Sequence, residues 1–165
     1  HEVGHTIGLV HNYSASVINR SSVMDYPPPA LSLDAKGNID LSNAYALSIG
    51  EWDKVSVTWG YQDFPKGTDE KNSLNKILTD AYKEGFQFIS DRDARATGGL
   101  HPTAHLWDNG KSPVDELKNL MKVREKALDQ FGENNIRPGM PMAMLEDVLV
   151  PVYLLHRYQV EAVTK

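Results

Sequence analysis

Three histidines, a glutamate and a glycine stand in the first eleven residues: His1-Glu2-Val3-Gly4-His5-Thr6-Ile7-Gly8-Leu9-Val10-His11. An α-helix advances about 100° and 1.5 Å per residue, so His1 and His5 lie on one face, roughly 6 Å apart along the axis. That placement lets two ring nitrogens converge on one Zn²⁺ at about 2.0–2.1 Å each. Glu2 is turned by about 100° from His1. It flanks the metal without ligating it, where a general base for an attacking water belongs. On a continued helix His11 would face away, about 240° round from His5. Gly8 supplies the turn, because glycine accepts the positive φ that a chain reversal past a helix end requires. Three protein ligands would then leave one position open, as a catalytic zinc needs.

Shortly afterwards comes Ser22-Val23-Met24-Asp25-Tyr26. The combination of HExxHxxGxxH with a methionine-bearing turn resembles the metzincin zinc peptidases, which include matrixins, astacins and serralysins. Carried over position by position, the resemblance implies that His1, His5 and His11 are the zinc ligands and Glu2 the general base and acid. Met24 would be the residue of the tight turn beneath the metal. In astacins and serralysins a tyrosine follows that methionine by two residues. Tyr26 matches it and is expected either to bind the metal or to donate to the oxyanion.

A wider likeness runs through SSVMDYPPP, IGEWDKVSVTWGY, LWDNGKSPVDELKNLMKVREKAL and VLVPVYLLHRYQVEA. These stretches are similar to a bacterial family of large secreted zinc-dependent metalloproteases. The resemblance implies a fold that is mainly α with a small β-hairpin, the helical C-terminal subdomain of a metzincin-like zincin. It implies Zn²⁺ as cofactor, a peptide or protein as substrate, and a secreted or periplasmic location. The motif begins at residue 1, so an upstream half of the catalytic domain is expected as a partner, and residues 1–165 alone are expected to be weakly active or inactive. Within the chain, residues 1–30 carry the zinc-motif helix end and the Met-turn. Residues 31–165 form a helical subdomain of the same continuous domain.

Two other readings remain open at this point. The helical part from residue 48 onward would serve as a docking or scaffold module of a larger secreted protein, with an exposed apolar patch as its mark. Alternatively Glu51 replaces His11 as third ligand, as in thermolysin-like enzymes; Gly8, His11 and Met24 together argue against that.

Composition narrows the partners. Lys plus Arg number 17 and Asp plus Glu 22, a net charge of −5. That mild acidity argues against nucleic acid and against an anionic membrane surface as partner. No stretch of 18 apolar residues exists, hence no transmembrane helix is expected. Cysteine is absent, so stability rests on packing and metal.

Other elements must position the site. Leu31–Asp34 and Asn38–Leu41 alternate around Lys36-Gly37 and predict a short hairpin. A capping box beginning at Ser48 predicts a helix over Ile49–Trp59, stopped by Gly60, with Trp52, Val55 and Trp59 in the core. Thr68 is expected to cap a helix over Asp69–Glu84 that buries Leu74, Ile77, Leu78, Ala81 and Tyr82. Phe86–Ile89 alternates weakly, as a short strand does. The stretch 90–111 is irregular. Its Asp91-x-Asp93 reads either as a calcium hint or as a capped turn, and His101 and His105 are candidate substrate contacts at a cleft rim. Ser112-Pro113 opens a helix to Phe131, burying Leu117, Leu120, Met121, Leu128 and Phe131. The last helix, Ala143–Val163, is expected to kink at Pro151, with His156 in a structural role.

Overall fold

The computed structural model describes residues 1–98 and 101–164. The fold is mainly helical with one small antiparallel hairpin. In chain order the elements are α1 (Glu2–Thr6), β1 (Ser32–Leu33), β2 (Ile39–Asp40), α2 (Glu51–Tyr61), α3 (Glu70–Lys83), α4 (Asp91–Ala94), α5 (Pro113–Asp129), α6 (Leu145–Tyr153) and α7 (Arg157–Thr164). They group into two compact units, residues 1–28 with 46–111 and residues 29–45 with 112–164. Among the described residues no helix is long and apolar enough to cross a membrane.

The first unit holds the histidines. Its α2 begins at Glu51, two residues later than expected, because Gly50 is extended (φ −83°, ψ 171°) and serves as N-cap. The acidic partner of this cap is Asp53, whose Oδ2 accepts the Gly50 N–H at 2.7 Å. Gly60 does not stop the helix, which runs on to Tyr61; one glycine costs a helix interior only about 1 kcal/mol. Trp52 is buried, whereas Trp59 is 45% exposed and not a core residue. Trp52 instead anchors an aromatic cluster with Tyr82, Phe86 and Phe88, at ring-centroid distances of 6.1, 6.3 and 5.8 Å. Packing of α2 on α3 brings Tyr82 to Trp52, and Phe86 and Phe88 join them from the segment after α3. Asp69, not Thr68, caps α3, accepting the Asn72 N–H at 3.0 Å. Past the end of α3 the chain turns at Gly85 (φ +94°).

The expected strand at Phe86–Ile89 is not a strand. Its hydrogen bonds go elsewhere. Asn12, wholly buried, donates Nδ2 to the Gln87 carbonyl and accepts the Ile89 N–H on Oδ1, while the Tyr13 N–H donates to the Ile89 carbonyl. A small core of Tyr13, Ala94 and Ala104, flanked by Ile89 and Leu106, lies beside this seam.

The second unit is built on α5, which packs against the hairpin, α6 and α7. Ser112 caps α5 by accepting the Asp115 N–H. Leu120 and Val123 are buried, while Met121 is 42% exposed. In the hairpin, Ser32 faces Asp40 and Leu33 faces Ile39. Gly37 takes a positive φ, and Asp34 gathers the turn N–H groups of Lys36 and Asn38. The expected kinked last helix is instead two helices. Pro151 supplies no N–H to the turn before it, and α6 ends at Tyr153. There Arg124 Nε donates to the Tyr153 carbonyl at 2.9 Å and its guanidinium covers the Tyr153 ring. That side chain satisfies a helix-end carbonyl that would otherwise lack a partner.

Candidate metal centre

Helix α1 has five residues, too short to be stable alone. Its end is a Schellman motif. The Leu9 N–H donates to the Gly4 carbonyl and the Gly8 N–H to the His5 carbonyl, both at 3.0 Å, with Gly8 at φ +85°. The Tyr61 hydroxyl, from the end of α2, donates to the Ile7 carbonyl. The reversal at Gly8 carries His11 back to the first two histidines. Ring centroids are 4.8 Å apart for His1–His5, 4.9 Å for His5–His11 and 5.3 Å for His1–His11.

Each imidazole has committed its Nδ1. His1 Nδ1 donates to the Val23 carbonyl at 2.6 Å, His5 Nδ1 to the Leu9 carbonyl at 2.9 Å, and His11 Nδ1 to Asp91 Oδ2 at 2.7 Å. Carbonyl and carboxylate oxygens only accept, so each facing nitrogen carries the proton and each Nε2 keeps its lone pair. Nε2 of His1 and of His11 are buried without a hydrogen-bond partner. An unpaired buried polar atom costs about 1–3 kcal/mol, and two of them side by side call for a shared ligand. One ligand atom from each histidine fits within a span of 4.8 Å. Among the described residues this is the grouping able to hold a metal ion. Three neutral imidazole nitrogens are a donor set that suits zinc.

The segment 22–26 packs beneath α1. Met24 is 2% exposed and lies directly against α1. A Cβ added to Gly4 would sit 2.3 Å from Met24 Sδ, so only glycine lets the sulfur approach the helix. Asp53, also 2% exposed, fixes the turn. Its carboxylate accepts the Ser22 hydroxyl at 2.6 Å and the Val23 N–H at 2.8 Å, besides the Gly50 N–H. The start of α2 presses on the same segment. The Trp52 N–H donates to the Ser21 carbonyl at 2.8 Å, and a Cβ on Gly50 would fall 1.9 Å from that oxygen. Asp53 thus holds Val23, and Val23 holds His1.

Asp25, the next residue, accepts the Ser16 and Tyr26 N–H groups at 2.9 and 2.7 Å. Burial pushes its carboxyl up to about 6, against the pull of those hydrogen bonds, and the nearby Asp108 charge adds to the rise. Tyr26 lies against the histidines, its ring 4.4 Å from His1 and 5.1 Å from His11 between centroids. Glu2 is exposed in the first turn of α1.

Asp91 is the residue that sequence reasoning missed. In Asp91-x-Asp93 it reads as a calcium hint or a capped turn, yet its carboxylate accepts the His11 Nδ1–H on Oδ2 and the Tyr13 hydroxyl on Oδ1 at 2.9 Å. Burial raises its carboxyl, but the hydrogen bonds from His11 and Tyr13 outweigh that and hold it below the ordinary carboxylate range. Tyr13, fully buried, is pushed up to about 12 by burial first and by its bond to Asp91 second. No short-range pattern links residues 80 apart. Asp53 did leave a signal, as the third residue of α2 after a glycine cap. The other candidates lie elsewhere. Glu51 is exposed and paired with Lys54 at 2.6 Å. His105 is buried, its Nδ1 accepting the Trp107 N–H, and His101 is exposed. Neither joins the histidine cluster.

A short helix closed by glycine thus carries two of three clustered imidazoles above a buried methionine. The chain belongs to the Met-zincin family, whose model matches residues 1–165. That family implies zinc binding. No similar curated protein and no similar solved structure was found.

Proposed function

We propose that the protein is a zinc-dependent peptidase in which His1, His5 and His11 hold the metal through Nε2. The observation that carries this reading is the pair of buried, unpartnered Nε2 atoms in a cluster whose Nδ1 atoms are all engaged. Zinc, when bound, supplies a Lewis acid that makes water nucleophilic near neutral pH and polarises a carbonyl. Glu2, exposed beside His1, takes a proton from the attacking water and returns it to the leaving amine. Tyr26, packed on His1 and His11, donates its hydroxyl to the carbonyl oxygen as charge develops there. Met24 shapes the floor and touches no substrate.

The test is Glu2→Gln beside His11→Ala. Glu2→Gln is expected to retain zinc and lose peptide hydrolysis; His11→Ala is expected to lose zinc. Undiminished hydrolysis by Glu2→Gln would remove Glu2 from the mechanism. Undiminished zinc content in His11→Ala would remove the third ligand.

A further inference from the structure

The three histidines are not held alike. His1 and His5 are fixed by α1, and their Nδ1 atoms donate to backbone carbonyls within the site itself. His11 lies beyond the helix, on a segment without regular structure. Nothing in α1 fixes the orientation of its ring. Its acceptor is a carboxylate, Asp91 Oδ2 at 2.7 Å, from a segment 80 residues away. The other oxygen of that carboxylate takes the Tyr13 hydroxyl at 2.9 Å. Tyr13 Oη is itself 3.1 Å from His11 Nδ1, so the three groups form a closed triangle.

The segment that brings Asp91 is locked to the residues after His11. Asn12 bonds Gln87 and Ile89 through its side chain, and Tyr13 bonds Ile89 through its backbone. Asp91 then follows Ser90, the N-cap of α4. Residues 11–13 and 87–91 therefore form one hydrogen-bonded seam.

We propose that Asp91 is the positioning residue of the third histidine, and that zinc retention is thereby coupled to the docking of segment 87–94 on residues 11–13. The proposal rests on the zinc reading given above. A carboxylate on Nδ1 fixes the tautomer, orients the ring and raises the basicity of Nε2. Its charge-assisted bond is stronger than the carbonyl bonds of His1 and His5. The ligand least constrained by its own backbone thus has the strongest support from elsewhere.

Zinc affinity by chelator competition, with hydrogen exchange over residues 86–95 in the presence and absence of zinc, tests this in the whole chain. Asp91→Ala is expected to weaken zinc binding about 10–100-fold. Asp91→Asn retains an acceptor for His11 Nδ1 but not the charge, and is expected to recover part of that loss. Tyr13→Phe, which keeps the packing and removes one donor to the carboxylate, is expected to weaken binding several-fold. Zinc is expected to slow exchange over residues 86–95 in the wild type and to do so less in Asp91→Asn. If Asp91→Ala does not fold, Asp91→Asn and Tyr13→Phe decide. Wild-type affinity in both, with exchange over 86–95 indifferent to zinc, overturns the proposal while leaving the zinc site intact. A wild-type chain that takes up no zinc overturns both readings.

Discussion

Asp53 is the buried group on which the Met-turn depends, and its removal has a calculable consequence. The carboxylate accepts from Ser22 Oγ at 2.6 Å, Gly50 N at 2.7 Å and Val23 N at 2.8 Å. Hydrogen bonds to a charged group contribute about 1.5–3 kcal/mol each. Asp53→Ala strips all three at once, and the buried Ser22 cannot turn to bulk water. Allowing for relaxation and non-additivity, the loss is about 4 kcal/mol. For a chain of this size that lowers the melting temperature by about 8–16 °C. Asp53→Asn behaves differently. Its Oδ1 can face the two N–H groups while Nδ2 faces the Ser22 hydroxyl, which also accepts. The charge and the acceptor for the buried Ser22 proton are lost, about 2–3 kcal/mol, while both backbone N–H groups keep their acceptor. The assay is denaturant unfolding followed by tryptophan fluorescence, since Trp52, Trp59 and Trp107 all belong to the first unit. Zinc affinity should fall in parallel, because Val23 carries the acceptor for His1 Nδ1. Asp53→Ala unfolding within about 1 kcal/mol of wild type, or Asp53→Asn as damaging as Asp53→Ala, would refute this reasoning.

Further perturbations address neighbouring parts of the site. Asp25, 5% exposed and raised to about 6 in the fold, sits near 3.9 when unfolded. Its carboxyl is neutral in both states below the unfolded value and must ionise at a cost in the folded state above it. Stability is therefore lost as pH rises from about 4 through 6, by about 3 kcal/mol in all; Asp25→Asn should lack this slope, and identical pH profiles for the two would contradict it. Gly4→Ala places a Cβ against Met24 Sδ and should destabilise by about 1–3 kcal/mol despite better helix propensity. In a Met24→Ala background the same change should be neutral or stabilising, and equal effects in both backgrounds would remove the contact from the account. Tyr26→Phe should reduce peptide hydrolysis while zinc affinity is retained, whereas unchanged hydrolysis would rule out the hydroxyl as a donor.

The parts of the site legible in the sequence are those encoded by short-range spacing. The four-residue step from His1 to His5, the glycine eight residues in and the returning His11 follow from helix geometry and the conformational freedom of Gly8. Ser112-Pro113 likewise announced the start of α5, and Lys36-Gly37 the hairpin turn. What could not be read is what the fold assembles from distant segments. Asp91 meets His11 only because the buried Asn12 captures residues 87–89, and that capture also explains why the alternating Phe86–Ile89 run pairs with no strand. Gly4 occupies an unspecified position of its motif, and its need to be glycine appears only when Met24 packs against it. Trp59 repeats with Trp52 at helical spacing, yet one is buried and the other half-exposed. Spacing alone does not say how far round α2 the neighbouring α3 reaches.

On the zinc reading, three imidazoles joined across the turn at Gly8 bind one metal ion through Nε2. X-ray absorption at the zinc edge of the metal-loaded protein addresses it directly. One zinc per chain is expected, with three imidazole nitrogens at about 2.0–2.1 Å and one oxygen, falling to two imidazoles in His11→Ala. A zinc shell in the wild type with only two imidazoles, or one unchanged by His11→Ala, would contradict it.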